Sequence, residues 1–143
     1  MFVGEFQHTL DGKGRLILPS KFRDALADGL VITKGMEGCL FIFPKSEWPQ
    51  LEDKVRSLPL TKKDARKFSR FFFAGATEEV LSKQGRVLIP ENLRKYAGLE
   101  KDIVVIGVSN RLEIWDKERW AAYSKEAGES YENVAEELTD LGI

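Results

Sequence analysis

The sequence predicts a mainly β fold with helices, of the α+β class, built from two copies of one unit. Three observations predict it. Phe2-Val3-Gly4 and Leu10-Asp11-Gly12-Lys13-Gly14-Arg15-Leu16-Ile17-Leu18-Pro19 recur as Phe73-Ala74-Gly75 and Leu81-Ser82-Lys83-Gln84-Gly85-Arg86-Val87-Leu88-Ile89-Pro90. Each copy breaks into short β-rich runs separated by glycine-bearing turns. Longer helical spacing is confined to the segments that follow each copy. A duplicated half of this size does not bury its apolar face alone, so the two halves are expected to complete one core with pseudo-twofold symmetry. Any surface site is then expected twice.

The elements follow in order. Residues 5–10 alternate loosely until Gly12-Lys13-Gly14, where glycine permits a tight turn. Arg15-Leu16-Ile17-Leu18 is a short buried strand ended by Pro19, which has no ladder donor. Ser20 caps a short helix over 21–27, with Phe22 and Leu26 on one face. Residues 30–34 and 39–43 form a hairpin across Gly35-Met36-Glu37-Gly38. The second copy gives a turn at Lys83-Gln84-Gly85, a helix over 91–97, and strands over 103–107 and 111–115 joined at Ser109-Asn110. Each copy then runs into a helix, capped by Ser46 or Asp116. Trp48 and Trp120 are expected as core or interface anchors, since aromatics carry large burial area.

Pro59 stops the first of these helices, and Thr61-Lys62-Lys63-Asp64 has the spacing of a capping box. Ala65, Phe68 and Phe72 then form an apolar stripe opposite a basic face of Lys62, Lys63, Arg66, Lys67 and Arg70. The Phe71–Phe73 run is expected to be buried. Gly128 breaks the C-terminal helical segment, after which Tyr131, Val134, Leu138 and Leu141 form a narrow stripe on an acidic helix. The expected organisation is a first repeat domain over 5–47, a helical connector over 48–75, a second repeat domain over 76–119 and a helical tail over 120–143.

Composition narrows the function classes. The chain has 143 residues and a net charge of −1. Residues 1–112 carry 19 Lys and Arg against 14 Asp and Glu, a net of +5, while residues 113–143 carry 3 against 9, a net of −6. A basic body with an acidic tail is compatible with a polyanionic partner. No run approaches the roughly 20 apolar residues of a membrane span, and no basic-then-apolar leader opens the chain. Cys39 is the single cysteine, expected as a buried structural thiol in a reducing compartment. His8 is the single histidine and belongs to no triad; no cluster has zinc-ligand spacing, and no phosphate-binding glycine motif is complete. The expectation is a protein with no catalysis, no metal and no cofactor.

The chemistry lies in the repeated glycine turn followed by arginine. Asp11 and Arg15 straddle the first turn, so the carboxylate can hold the guanidinium by charge-assisted hydrogen bonds. Lys13 projects from the turn tip, and the second copy supplies Lys83 and Arg86. A pseudo-twofold brings both loops to one edge. The planar fork of Arg suits phosphate and guanine. Lys13, Arg15, Lys83 and Arg86 are therefore candidate DNA-binding residues, with Asp11, Gly14 and Gly85 orienting the loops. The same spacing also accommodates two purely structural turns with Arg packed along a strand.

Asp11-Gly12-Lys13-Gly14-Arg15 resembles the DxxxR signature of the MraZ family. The opening Met1-Phe2-Val3-Gly4-Glu5-Phe6-Gln7-His8, the central Leu60-Thr61-Lys62-Lys63-Asp64-Ala65-Arg66 and the following Phe71-Phe72-Phe73-Ala74-Gly75-Ala76 resemble it too. The resemblance implies two AbrB-like swapped-hairpin repeats forming one pseudo-twofold, β-barrel-like unit plus helices. It implies a cytoplasmic, nucleoid-associated transcriptional regulator. Its partners would be double-stranded DNA at promoter direct repeats and further copies of itself in a homo-oligomeric ring, with no membrane and no small-molecule substrate. It implies repression of a division and cell-wall operon. Ser82 stands where the signature has Asp, so the resemblance does not carry the carboxylate clamp into the second copy. An antitoxin-like module that binds protein without DNA specificity is the alternative.

Overall fold

The computed structural model describes residues 1–138, 141 and 142. Among the described residues eight strands, two short 3-10 turns and four α-helices alternate. The strands are β1 (Phe2–Thr9), β2 (Arg15–Ile17), β3 (Leu30–Lys34), β4 (Leu40–Pro44), β5 (Thr77–Glu79), β6 (Arg86–Leu88), β7 (Asp102–Ser109) and β8 (Arg111–Asp116). The helices are α1 (Trp48–Arg56), α2 (Lys63–Ala74), α3 (Glu91–Ala97) and α4 (Lys117–Glu137).

The two copies interlock through their strands. Six form one antiparallel sheet in the order β1-β7-β8-β4-β3-β5. The first copy's β1 pairs with the second copy's β7, and the second copy's β5 pairs with the first copy's β3. The hairpins β3–β4 and β7–β8 meet where β4 pairs with β8. The remaining strands, β2 and β6, pair with each other as a separate two-stranded ribbon. The sheet is open at β1 and β5, so the expected barrel-like closure is not seen. The ribbon stays separate from the larger sheet and packs its inward Leu16 and Val87 into the core on one face of it.

Side-chain alternation along the central strands explains why they read as continuous apolar runs. Ile32, Leu40, Ile42, Ile103, Val105, Leu112 and Ile114 face one way, into a core shared with Leu16 and Leu18, with Val87 and Ile89 from the second copy, and with Leu93 of α3. Phe41, Phe43, Val104, Ile106 and Trp115 face the other way, toward Val55 of α1, Phe72 of α2 and the half-buried Trp48 and Trp120. A sheet covered on both faces needs apolar side chains at successive positions. Thr33, the one buried polar residue among those described, donates its hydroxyl to the Phe72 carbonyl at 2.8 Å and tethers α2 to β3. Burial pushes the Cys39 thiol up to about 12, in keeping with a structural thiol.

Several local expectations are corrected. The helix expected over 21–27 is instead two 3-10 turns, Ser20–Phe22 and Asp24–Leu26, with no Ser20 side-chain cap. Its first turn lacks an acid and Asp28 lies beyond its end, against the helix dipole. The equivalent α3 has Glu91 early, Arg94 and Lys95 late, and Gly98 as a left-handed stop. α2 starts one residue too late for a capping box, since Lys62 is its N-cap without a side-chain bond. Ser46 likewise does not cap α1, whose N-cap is Glu47, whereas the Asp116 carboxylate accepts from the Arg119 amide at 3.1 Å. α4 runs unbroken through Gly128, because one interior glycine costs only about 1 kcal/mol. Of the Phe71–Phe73 run only Phe72 is buried, and Phe71 is 52% exposed.

The strand interlock depends on close backbone approach at Gly107, opposite Gly4 on β1. A Cβ there would overlap the backbone of Phe2 and Val3. Gly107→Ala is expected to loosen β1 and lower stability by about 1–3 kcal/mol in urea unfolding. Gly128→Ala meets open space inside a helix and is expected to be neutral or stabilising by up to about 1 kcal/mol.

Candidate nucleic-acid interface

The ribbon brings the two repeated motifs together. Its register pairs Arg15 with Leu88, Leu16 with Val87, and Ile17 with Arg86. Leu16 and Val87 point into the core, so the residues on either side of them share the outer face. That face presents Arg15 and Ile17 from one strand and Arg86 and Leu88 from the other, with Ile17 and Leu88 each nearly half exposed. Strand geometry sets the two Arg Cα atoms about 8 Å apart on a diagonal. The pseudo-twofold passes between Leu16 and Val87.

The loops before the two strands have one backbone conformation. Gly14 and Gly85 have φ of 80° and 79°. The amide of each donates back across the turn, Gly14 to the Asp11 carbonyl at 3.0 Å and Gly85 to the Ser82 carbonyl at 2.9 Å. The carbonyl of Gly14 accepts from Ile89 and that of Gly85 from Leu18, so each loop is bonded to the strand of the other copy. Glycine is required at both positions by this left-handed conformation.

What orients each arginine differs. Asp11 Oδ1 accepts from the amides of Lys13 and Arg15, both at 2.9 Å, and Oδ2 accepts from Arg15 Nε at 2.7 Å. These bonds, led by the Arg15 amide, hold the Asp11 carboxyl down at about 2. In the second copy the Ser82 hydroxyl accepts from the Arg86 amide at 3.0 Å. The serine keeps the turn but supplies no carboxylate to the guanidinium, and Arg86 has no acidic partner among the described residues. Lys13 and Lys83 are exposed at the two turns, at non-equivalent positions, Lys13 matching Gln84 and Lys83 matching Gly12.

Two further cations complete the site. Arg94 lies against Gly14 and Arg23 against Gly85, each where a Cβ would overlap the guanidinium. Arg23 also donates from Nε to the Leu18 carbonyl at 3.1 Å. These residues recur eight positions after Arg15 and Arg86, and that recurrence is the sequence signal for them. His8, half-buried, is pushed down by burial and then by Arg23. Among the described residues no group of His, Cys, Asp or Glu could hold a metal ion, and no helix is long and apolar enough to cross a membrane.

A paired-strand ribbon carrying one arginine from each copy, on a body that is itself a fused tandem repeat, defines a two-copy β-ribbon protein. The family model described as "MraZ protein, putative antitoxin-like" matches residues 1–71 and again 72–142. The chain is 57% identical over 143 residues to the Transcriptional regulator MraZ of Natranaerobius thermophilus, with all of both chains covered. It is 58% identical to that of Clostridium beijerinckii and 53% identical to that of Heliobacterium modesticaldum, again with all of both chains covered. The chain belongs to the MraZ family.

The Asp11 clamp gives a pH prediction. Because its folded value lies below the ordinary carboxylate value of 3.8, its contribution to stability is complete above about pH 4 and is lost as pH falls toward 2. An NMR titration of the Asp11 carboxyl is expected to show a midpoint near 2. Arg15→Ala is expected to raise it only partway, since the two backbone donors remain.

Proposed function

We propose that this chain is a double-stranded-DNA-binding transcriptional regulator with no catalytic activity. One observation carries the reading: Arg15 and Arg86 stand on the outer face of one two-stranded ribbon. The B-DNA major groove, about 12 Å wide, admits a β-ribbon, and an arginine fork matches the O6 and N7 acceptors of guanine. Arg15, fixed by Asp11, reads a base edge, and Arg86 reads or flanks the pseudo-symmetric position. Lys13 and Lys83 neutralise phosphates, while Gly14 and Gly85 set the loop path. Ile17 and Leu88, exposed between the arginines, suit thymine methyl groups.

The names of the relatives support a role in transcription. We take the target to be the promoter of the chain's own division and cell-wall operon, and the effect to be repression, in the cytoplasm at the nucleoid. One ribbon is a small footprint, so a homo-oligomeric ring would engage consecutive promoter repeats through effective concentration. The repeat domains over 5–47 and 76–119 would supply the ribbon; the connector over 48–75 and the tail over 120–143 would serve assembly. The family model's antitoxin-like description supports the alternative, a module that wraps a protein partner.

The test is a gel shift on the chain's own upstream region. If about four phosphates are neutralised, affinity falls about 100-fold between 50 and 200 mM salt. Arg15→Ala is expected to lose about 10- to 100-fold in affinity with the fold intact by circular dichroism. Wild-type affinity in a folded Arg15→Ala protein removes the role given to that arginine. The absence of any shift at either salt concentration favours the protein-binding alternative.

A further inference from the structure

Two complementary surfaces lie uncovered on helices α2 and α4. α4 starts on the body, with Trp120 and Tyr123 packed on Trp115 at ring-centroid distances of 5.2 and 5.0 Å. Beyond that anchor no residue of α4 is buried. Trp120, Ser124, Ala127, Tyr131 and Val134 follow the alternating four- and three-residue spacing of a helix-packing seam. In its outer part Tyr131 is 72% exposed and Val134 48%, and Leu138, the extended residue just past the helix, is also exposed. The helix from 126 to 137 carries Glu126, Glu129, Glu132, Glu136 and Glu137 and no lysine or arginine.

α2 has the opposite character. Lys63, Arg66, Lys67 and Arg70 share one side of α2 with Phe71 and Ala74. None of these four cations has an acidic partner among the described residues. Beside them a hollow of about 470 Å³ opens between α2 and the body, lined by Phe68, Phe71, Met36 and Tyr96, with Lys34, Lys67 and Asp64 at its polar positions. Lys34 Nζ stands 3.5 Å from the Phe71 ring centroid.

We propose that the outer half of α4 docks on the α2 face of a second copy of this chain, its Tyr131-Val134 row in the Phe71 hollow and its glutamates against the lysines and arginines of α2. The proposal rests on the reading of the chain as a homo-oligomer and names the surface that builds it. Both faces are uncovered in the single chain, so α4 does not close on its own α2. Pairing of α4 with another α4 would bring together two helices of like charge. The basic α2 face offers both the charge and the apolar groove that the row needs. Contact of one patch with a different patch is head-to-tail, and such contacts propagate into rings or filaments rather than stop at a dimer.

The test is a charge exchange read by sedimentation without DNA at low salt. One full-length variant carries Glu132→Lys and Glu136→Lys, the other Lys67→Glu and Arg70→Glu. All four positions are exposed, and circular dichroism checks the fold. Each variant alone is expected to drop to single-chain mass. Their mixture is expected to recover the assembly, because each variant then meets its complement at both faces. Unchanged mass in either variant, or no recovery on mixing, overturns the proposed surface. The proposed surface also falls if the Lys67→Glu, Arg70→Glu protein keeps its mass but loses promoter DNA, since α2 would then belong to the nucleic acid. A wild-type chain of single-chain mass instead overturns the homo-oligomer reading itself.

Discussion

The β2–β6 ladder is the constraint on which the rest depends. It joins the copies at their pseudo-twofold, burying Leu16 and Val87 side by side while turning Arg15 and Arg86 to the outside. The period-2 geometry of a strand makes these two outcomes one fact. A slip of one residue would expose the two apolar side chains and bury the two charges. The core therefore holds the register of the arginines. The glycine carbonyls extend this control into the loops, since each is bonded to the strand of the other copy. Neither half has a complete site or a complete core by itself.

The two motifs share a backbone but differ electrostatically. Asp11 combines a turn-forming carboxylate with a direct hold on its guanidinium, a charge-assisted bond of the stronger kind. Ser82 preserves the amide bond that shapes the turn and releases the arginine. The result is one pre-oriented fork and one adaptable fork on the same face. Arg23 and Arg94 lie on the loop glycines and add positive charge behind them. They also place a second reason for glycine at 14 and 85, since a side chain there would displace a guanidinium as well as strain the turn.

Helices α1, α2 and α4 use the other face of the sheet, while α3 packs on the ribbon side. α1, α2 and the start of α4 cover the aromatic layer of Phe41, Phe43 and Trp115, and the Thr33 hydroxyl fixes α2 by its carbonyl end. That leaves the charged sides of α2 and of outer α4 facing away from the ribbon's core. The arginine-bearing ribbon and the helix-borne charge are thus kept on different layers of one small body.

The sequence by itself determined the duplication, the strand runs, the glycine turns and the Asp11–Arg15 pair, because each rests on local chemistry. Turn conformation, strand period and a contact four residues apart are all written within a few positions of one another. Tertiary structure alone decided which strand pairs with which. β1 joins β7 and β5 joins β3, and β2 and β6 leave the main sheet as an open ribbon where closure into a barrel was expected. Long-range pairing is set by the global fit of the core, which no local pattern encodes. The same holds for the 3-10 turns after Pro19 and for Phe71 left in solvent, whereas α4 continues through Gly128 because one interior glycine costs a helix little. Arg23 and Arg94 were visible as a repeat and gained a role only when folding set each against the loop of the other copy.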